Sequence, residues 1–288
     1  MDILITGLLL GGTYALIAMG LNLQYGMARI MNLANGEILV AGGFAAFWGW
    51  SAGQVSPLLT VFLVVPVAFA ANWLIYVVML RPLVRRAKSR GQLETDAILA
   101  TFGLSFAAVG LMRAGFGGDY FSYSYLARPF EIFGATYGLN RVSAFAASVV
   151  ICGALWLWLN RSRPGMAIRA IAVAPASARL VGIDVPRLAA LTFALGGAVT
   201  AAGGAIVSTF LTLDASTGVM FTLKALVIVI MGGVGDVRGT VVAALALGIL
   251  ETFVARVIDP GLTLAAAYLL FVLILLFRPQ GLFGRAQT

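Results

Sequence analysis

Few residues in this chain can do chemistry, and their scarcity narrows its function. Histidine is absent, which removes the commonest general base, metal ligand and proton shuttle near neutral pH. The single cysteine, Cys152, lies in an apolar run and reads as a small buried hydrophobe, so neither a disulfide framework nor a thiolate metal cluster is expected. No catalytic set and no metal site emerges. Lysine occurs only as Lys88 and Lys224, and neither follows a G-x-x-x-x-G-K-[ST] frame, so the chain carries no P-loop and does not read as an enzyme. The acids near apolar segments are Glu37, Asp236 and Glu251. Carboxylates at such depth can hold a carried cation or proton. A structural ion pair or helix cap, with Arg238 beside Asp236 and Arg256 beside Glu251, is at least as good a reading.

The elements that must position these residues are membrane helices. A chain of 288 residues that is 61% hydrophobic and 10% charged, with mean hydropathy +1.01, has too much apolar surface for one water-soluble core. Uncharged runs at 3–28, 38–80, 142–160 and 188–213 each reach the length of about 17 to 25 residues that spans a hydrocarbon core. Their continuity excludes a barrel of alternating strands. Nine segments are read, at 3–24, 37–50, 57–80, 97–116, 142–160, 188–212, 222–232, 239–256 and 262–278, with Gly53, Gln54, Ser56 and Pro57 as the turn inside the longest run. The fold class is therefore an all-α polytopic membrane protein of about 8 to 10 transmembrane helices, some broken or half-length, in a single membrane domain over 1–288. The first segment lacks a basic leader and a small-residue cleavage site, so it is expected to stay as a span.

The formal charge of +8 sits between apolar segments rather than on a soluble face, which argues against nucleic acid as a partner. With the basic stretch 81–90 in the cytoplasm, Arg29, Arg161, Arg163, Arg169, Arg179, Arg187, Arg238, Arg278 and Arg285 share that side, and only Arg113, Arg128, Arg141, Lys224 and Arg256 do not. The C-terminus is then cytoplasmic. The aromatic loop 117–140, with Tyr120, Phe121, Tyr123, Tyr125, Phe130, Phe133 and Tyr137, becomes the main extracytoplasmic surface, either an interfacial belt or a docking face. Small residues at helical spacing, Gly7 with Gly11 and Ala244 with Gly248, predict close helix contacts.

Two polar interruptions are candidates for a substrate pathway: Asn32, Asn35, Gly36 and Glu37 before the second segment, and Gly232, Gly233, Gly235 and Asp236 after the seventh. Irregular backbone at membrane depth persists only where protein buries it or a wet cavity receives it, though both stretches also read as ordinary turns at the ends of spans. A transporter without a P-loop uses an ion gradient or borrows an ATPase. The second route needs a short helix that another protein can grip, and the loop 161–187 offers one: Pro175 suits a helix start, Gly182 its C-terminal cap, and Leu180 and Val181 an apolar contact beside Arg179. An amphipathic helix lying on the membrane is the competing reading.

Four blocks in order carry a resemblance that covers nearly the whole chain. Gly12-Thr13-Tyr14-Ala15-Leu16-Ile17-Ala18-Met19-Gly20-Leu21-Asn22-Leu23, followed by Tyr25-Gly26 and Asn32-Leu33-Ala34-Asn35-Gly36-Glu37, resembles the first block of branched-chain amino acid ABC transporter permeases of the LivH type. Residues 165–182 resemble their coupling loop, Leu223-Lys224-Ala225 with Gly232-Gly233-Val234-Gly235 their glycine-rich late block, and Phe277-Arg278-Pro279-Gln280-Gly281-Leu282-Phe283-Gly284 their C-terminal signature. Two positions depart. Ala176 stands where a glutamate often lies, leaving a salt bridge to the ATPase there without its acid, and Asn35 replaces a histidine, so that position cannot titrate.

The resemblance implies an ABC importer permease architecture in a bacterial inner membrane. It implies a second homologous permease chain, two cytoplasmic ABC ATPase subunits gripping Ala176, Ala178, Arg179, Leu180, Gly182 and Ile183, and a periplasmic substrate-binding protein. No cofactor belongs to this chain, ATP and Mg being held by the ATPases. Branched-chain or related amino acids are the implied substrates. A stand-alone ion-coupled carrier, or a channel for a small polar solute such as urea or an amide, is the alternative.

Overall fold

The computed structural model describes residues 2–28, 30–132 and 135–284, with the backbone alone at Met27, Arg90, Ile132, Ala135, Pro175, Ala176 and Arg179. Arg29, Arg285 and Phe133, used in the sequence reading, lie outside the described residues.

Helix α1 (Asp2–Asn22) runs into a π-turn at Leu23–Met27, and an irregular stretch then leads to α2 (Asn35–Gly53). Gln54 in the left-handed region ends α2, and Ser56-Pro57 starts α3 (Pro57–Ile75), as the turn residues predict. A second π-turn (Tyr76–Leu80) and α4 (Arg81–Arg86) prolong α3 into the basic stretch. Ser89 caps α5 (Arg90–Phe116) by accepting the Gln92 N–H. The short antiparallel strands β1 (Pro129–Ile132) and β2 (Ala135–Gly138) precede α6 (Leu139–Arg161). Two short helices, α7 (Arg163–Val173) and α8 (Pro175–Leu180), separate α6 from α9 (Val185–Val207). Asp214, which accepts from the hydroxyls of Ser216 and Thr217, opens α10 (Thr217–Gly232); α11 (Val237–Val257) and α12 (Thr263–Phe277) follow.

Among the described residues, seven helical stretches are long and apolar enough to cross a membrane. The two other segments read from the sequence are α2, of 19 residues, and the shorter α10, of 16. Burial sorts the helices: the most apolar window of α9 is 89% buried and that of α12 only 6%, so α9 with α1 forms the centre and α12 faces outward. Central helices need close contacts, and glycine supplies them. A Cβ on Gly248 would sit 2.4 Å from the Gly11 nitrogen, and one on Gly20 2.5 Å from the Gly196 carbonyl, so α1 packs backbone to backbone on α11 and α9. Part of the aromatic loop folds inward: Phe121, Tyr123 and Tyr125 pack on Phe44, Phe47 and Trp50 of α2, while Tyr120 stays exposed.

Candidate functional site

The irregular stretch before α2 is held inside the protein by side chains from the π-turn, α5 and α10, the first of them braced on a backbone carbonyl of α9. Buried Asn32 donates from Nδ2 to Gln24 Oε1 (3.0 Å) and accepts the Ala34 N–H (3.0 Å), while Gln24 Nε2 donates to the Phe193 carbonyl of α9 (3.1 Å). Thr101 of α5 accepts the Leu33 N–H (3.1 Å), and Thr222 of α10 accepts the Gly36 N–H (2.7 Å). Such a stretch must find its backbone partners within protein, and these hydroxyls and amides supply several of them. Gly36 has no alternative: a Cβ there would lie 1.7 Å from the Gly218 carbonyl.

At the start of α2, two buried side chains use only half their capacity. Thr200 donates to Asn35 Oδ1 (2.9 Å), and Ser105 donates to Glu37 Oε1 (2.8 Å). Asn35 Nδ2 and Glu37 Oε2 are buried with no partner. A bare amide donor and a bare carboxylate oxygen thus sit on the first turn of a helix whose N-cap, Ala34, provides no side-chain acceptor. Beside this turn an apolar cleft of about 420 Å³ opens between α2 and α3, lined by Ile38, Gly42, Val64, Asn72 and Ala201 among others.

The second interruption is built differently. Gly233 and Gly235 adopt positive φ, Asn22 Oδ1 accepts the Gly235 N–H (2.8 Å), and Asp236 caps α11 by accepting the Gly239 N–H (2.8 Å). The C-terminal segment closes it, as Leu282 and Phe283 donate their N–H groups to the Met231 and Gly232 carbonyls. The two interruptions lie at opposite ends of α10, since Gly36 meets Gly218 and Gly232–Asp236 follows the last turn. Sixteen residues of helix keep them roughly 24 Å apart.

The remaining acid is paired across helices in a way its sequence neighbours conceal. Glu251 bonds not to Arg256 but to Lys224 Nζ (2.9 Å) and the Tyr14 hydroxyl (2.7 Å), Lys224 also donates to Tyr14 Oη (2.7 Å), and Arg256 pairs with Asp2. Likewise Arg238 lies over the Trp156 ring rather than on Asp236. A signal was available: a lysine inside an apolar span must find an acid there.

At the other candidate, the loop 161–187, α8 ends on Gly182 at φ +81° with the Ile183 N–H donating to the Ala178 carbonyl (3.2 Å), the six-to-one bond of a glycine-capped helix. Ala178 is buried, Leu180 and Val181 are 88% and 75% exposed, and the side chains of Ala176 and Arg179 lie outside the described residues. Ile168 of α7 anchors the loop in a core shared with Leu155 and Leu159 of α6.

Comparison with known proteins places this architecture. A family model described as the branched-chain amino acid transport system / permease component matches residues 3–277. The chain belongs to that family. It is 28% identical to the high-affinity branched-chain amino acid transport system permease protein LivH of Salmonella typhimurium, over 98% of this chain and 94% of that one. The corresponding protein BraD of Pseudomonas aeruginosa is 29% identical over 99% and 96%. The ribose import permease protein RbsC of Haemophilus influenzae is 28% identical over 82% of this chain and 72% of its own. Among solved structures, PsaBC from Streptococcus pneumoniae in complex with Fab matches at a TM-score of 0.49 and 10% identity, covering 98% and 94% of the two chains. The chain is accordingly a multi-pass membrane permease, of the same kind as relatives that are transport subunits.

Proposed function

We propose that this chain is one permease half of an ABC importer for branched-chain or related amino acids, without an ATPase site of its own. Its family match over residues 3–277 is the observation that carries the reading. A second homologous permease completes the pathway, a periplasmic binding protein delivers substrate, and two cytoplasmic ATPases supplying ATP and Mg grip α7 and α8. The C-terminus lies on the ATPase side, in a bacterial inner membrane. The exposed Leu180-Val181 pair on a glycine-capped, anchored turn supports the grip, since such a knob transmits a push into the core through Ile168. Alternating access then needs only rocking of the two halves, with no covalent chemistry.

The bare Asn35 Nδ2 and Glu37 Oε2 favour the start of α2 as the pathway's polar lining, a donor and an acceptor for a passing zwitterion. Gly232, Gly233, Gly235 and Asp236 belong to the same pathway from its far end, as a rigid junction that moves with α10 and α11. In proteoliposomes holding the full complex, Glu37→Gln should lower ATP-driven leucine uptake by roughly tenfold, the scale of one charged hydrogen bond, with assembly retained. Wild-type uptake by the assembled variant would refute the lining.

A further inference from the structure

Tyr14, Lys224 and Glu251 form a largely buried polar triad that joins α1, α10 and α11. Lys224 Nζ lies 2.9 Å from Glu251 Oε2, 2.7 Å from Tyr14 Oη and 4.8 Å from the centre of the Tyr14 ring. Stability gives a poor reason for this arrangement. A buried ion pair is commonly no better for folding than an apolar pair of similar volume, and ionisable groups within spans are costly and mark functional positions. The triad also leaves valences open. Lys224 has three N–H donors and commits two, and Glu251 Oε1 is buried with no partner.

Two features set what these open valences would take. The charges are opposite and adjacent, which suits a ligand carrying both signs close together rather than a lone anion or cation. The lysine is the most exposed member, with 15% of its side chain exposed against 5% for Glu251, and Met220, one turn earlier on the same face of α10, is a half-exposed apolar neighbour. A charged pair beside an exposed apolar side chain matches an α-amino acid with an apolar side chain.

We infer that Lys224 and Glu251 form a transient site for the zwitterionic head of the substrate, the ligand carboxylate on Lys224 Nζ and its ammonium on Glu251 Oε1, with Met220 against its side chain. Tyr14 is a positioning residue that holds Lys224 and Glu251 together between passages. This rests on the importer reading and names the residues that recognise its substrate class.

The test uses the whole complex in proteoliposomes with radiolabelled leucine and two double variants. Lys224→Met with Glu251→Leu removes both charges at similar volume, and Lys224→Glu with Glu251→Lys restores an ion pair of reversed sense. Both should assemble, and both should lose more than about tenfold of leucine uptake, since one removes the charged contacts to the head group and the other inverts their sense. Uptake near the wild-type rate in either variant would overturn the site, recovery in the reversed pair alone identifying a mere pin between helices. Failure of the apolar variant to assemble would equally make the triad structural and overturn it. Absence of ATP-driven amino acid uptake in the wild type would instead sink the importer reading, and this inference with it.

Discussion

Gly36 shows how closely single residues constrain this protein. Its missing Cβ lets the start of α2 rest on the Gly218 carbonyl, and neither side of that contact is a side chain able to rotate away. Gly36→Ala should therefore cost roughly 1–3 kcal/mol or more and lower the melting temperature in detergent. Gly103 is the contrast, on α5 with nothing within 4 Å of its would-be Cβ. Gly103→Ala should leave stability unchanged or raise it by about 0.5–1 kcal/mol, because alanine restricts the unfolded chain at no steric cost. Equal effects of the two substitutions in thermal unfolding would contradict the packing. The sequence revealed both glycines but not which was crowded, since crowding depends on a contact between residues 36 and 218 that only the fold creates. Glu251 teaches the same lesson: Arg256, five residues on, looked like its partner, yet the helix turns that arginine toward Asp2, and Lys224 reaches the acid from another helix.

At the scale of elements, the local rules were legible and the pairings were not. Pro57 after Ser56, Asp236 before α11 and Gly182 after α8 stand where capping chemistry requires, because those bonds are made within a few residues. The bonding of Leu282 and Phe283 to the carbonyls at the end of α10 had no local signature, and it turns the glycine-rich interruption into a sealed junction. The α8 knob yields an element-scale expectation. Replacing exposed Leu180 and Val181 by aspartate removes apolar contact without touching the core, so melting of the chain should hold while ATPase subunits no longer copurify. Gly182→Pro or charge reversal at Arg179 should uncouple ATP hydrolysis from uptake. Normal substrate-stimulated ATPase activity and uptake in these variants would retire α7 and α8 as the grip.

For the whole molecule, the distribution of arginines predicts one orientation, with the basic loops in the cytoplasm. Helix α6, of 23 residues and roughly 35 Å, separates the aromatic loop from the α7–α8 turn, so the two should lie on opposite faces of the bilayer. In a background lacking Cys152, a cysteine at exposed Tyr120 should react with a membrane-impermeant thiol reagent in intact cells. A cysteine at Leu180 should react only after the membrane is opened. Labelling of both from outside would reverse or break the topology. The decisive measurement is mass spectrometry of the complex gently extracted from its native membrane. Recovery of this chain with a second permease and two P-loop ATPases is the expected result; recovery of this chain alone, still able to move solute, would contradict its place as half of an ABC importer.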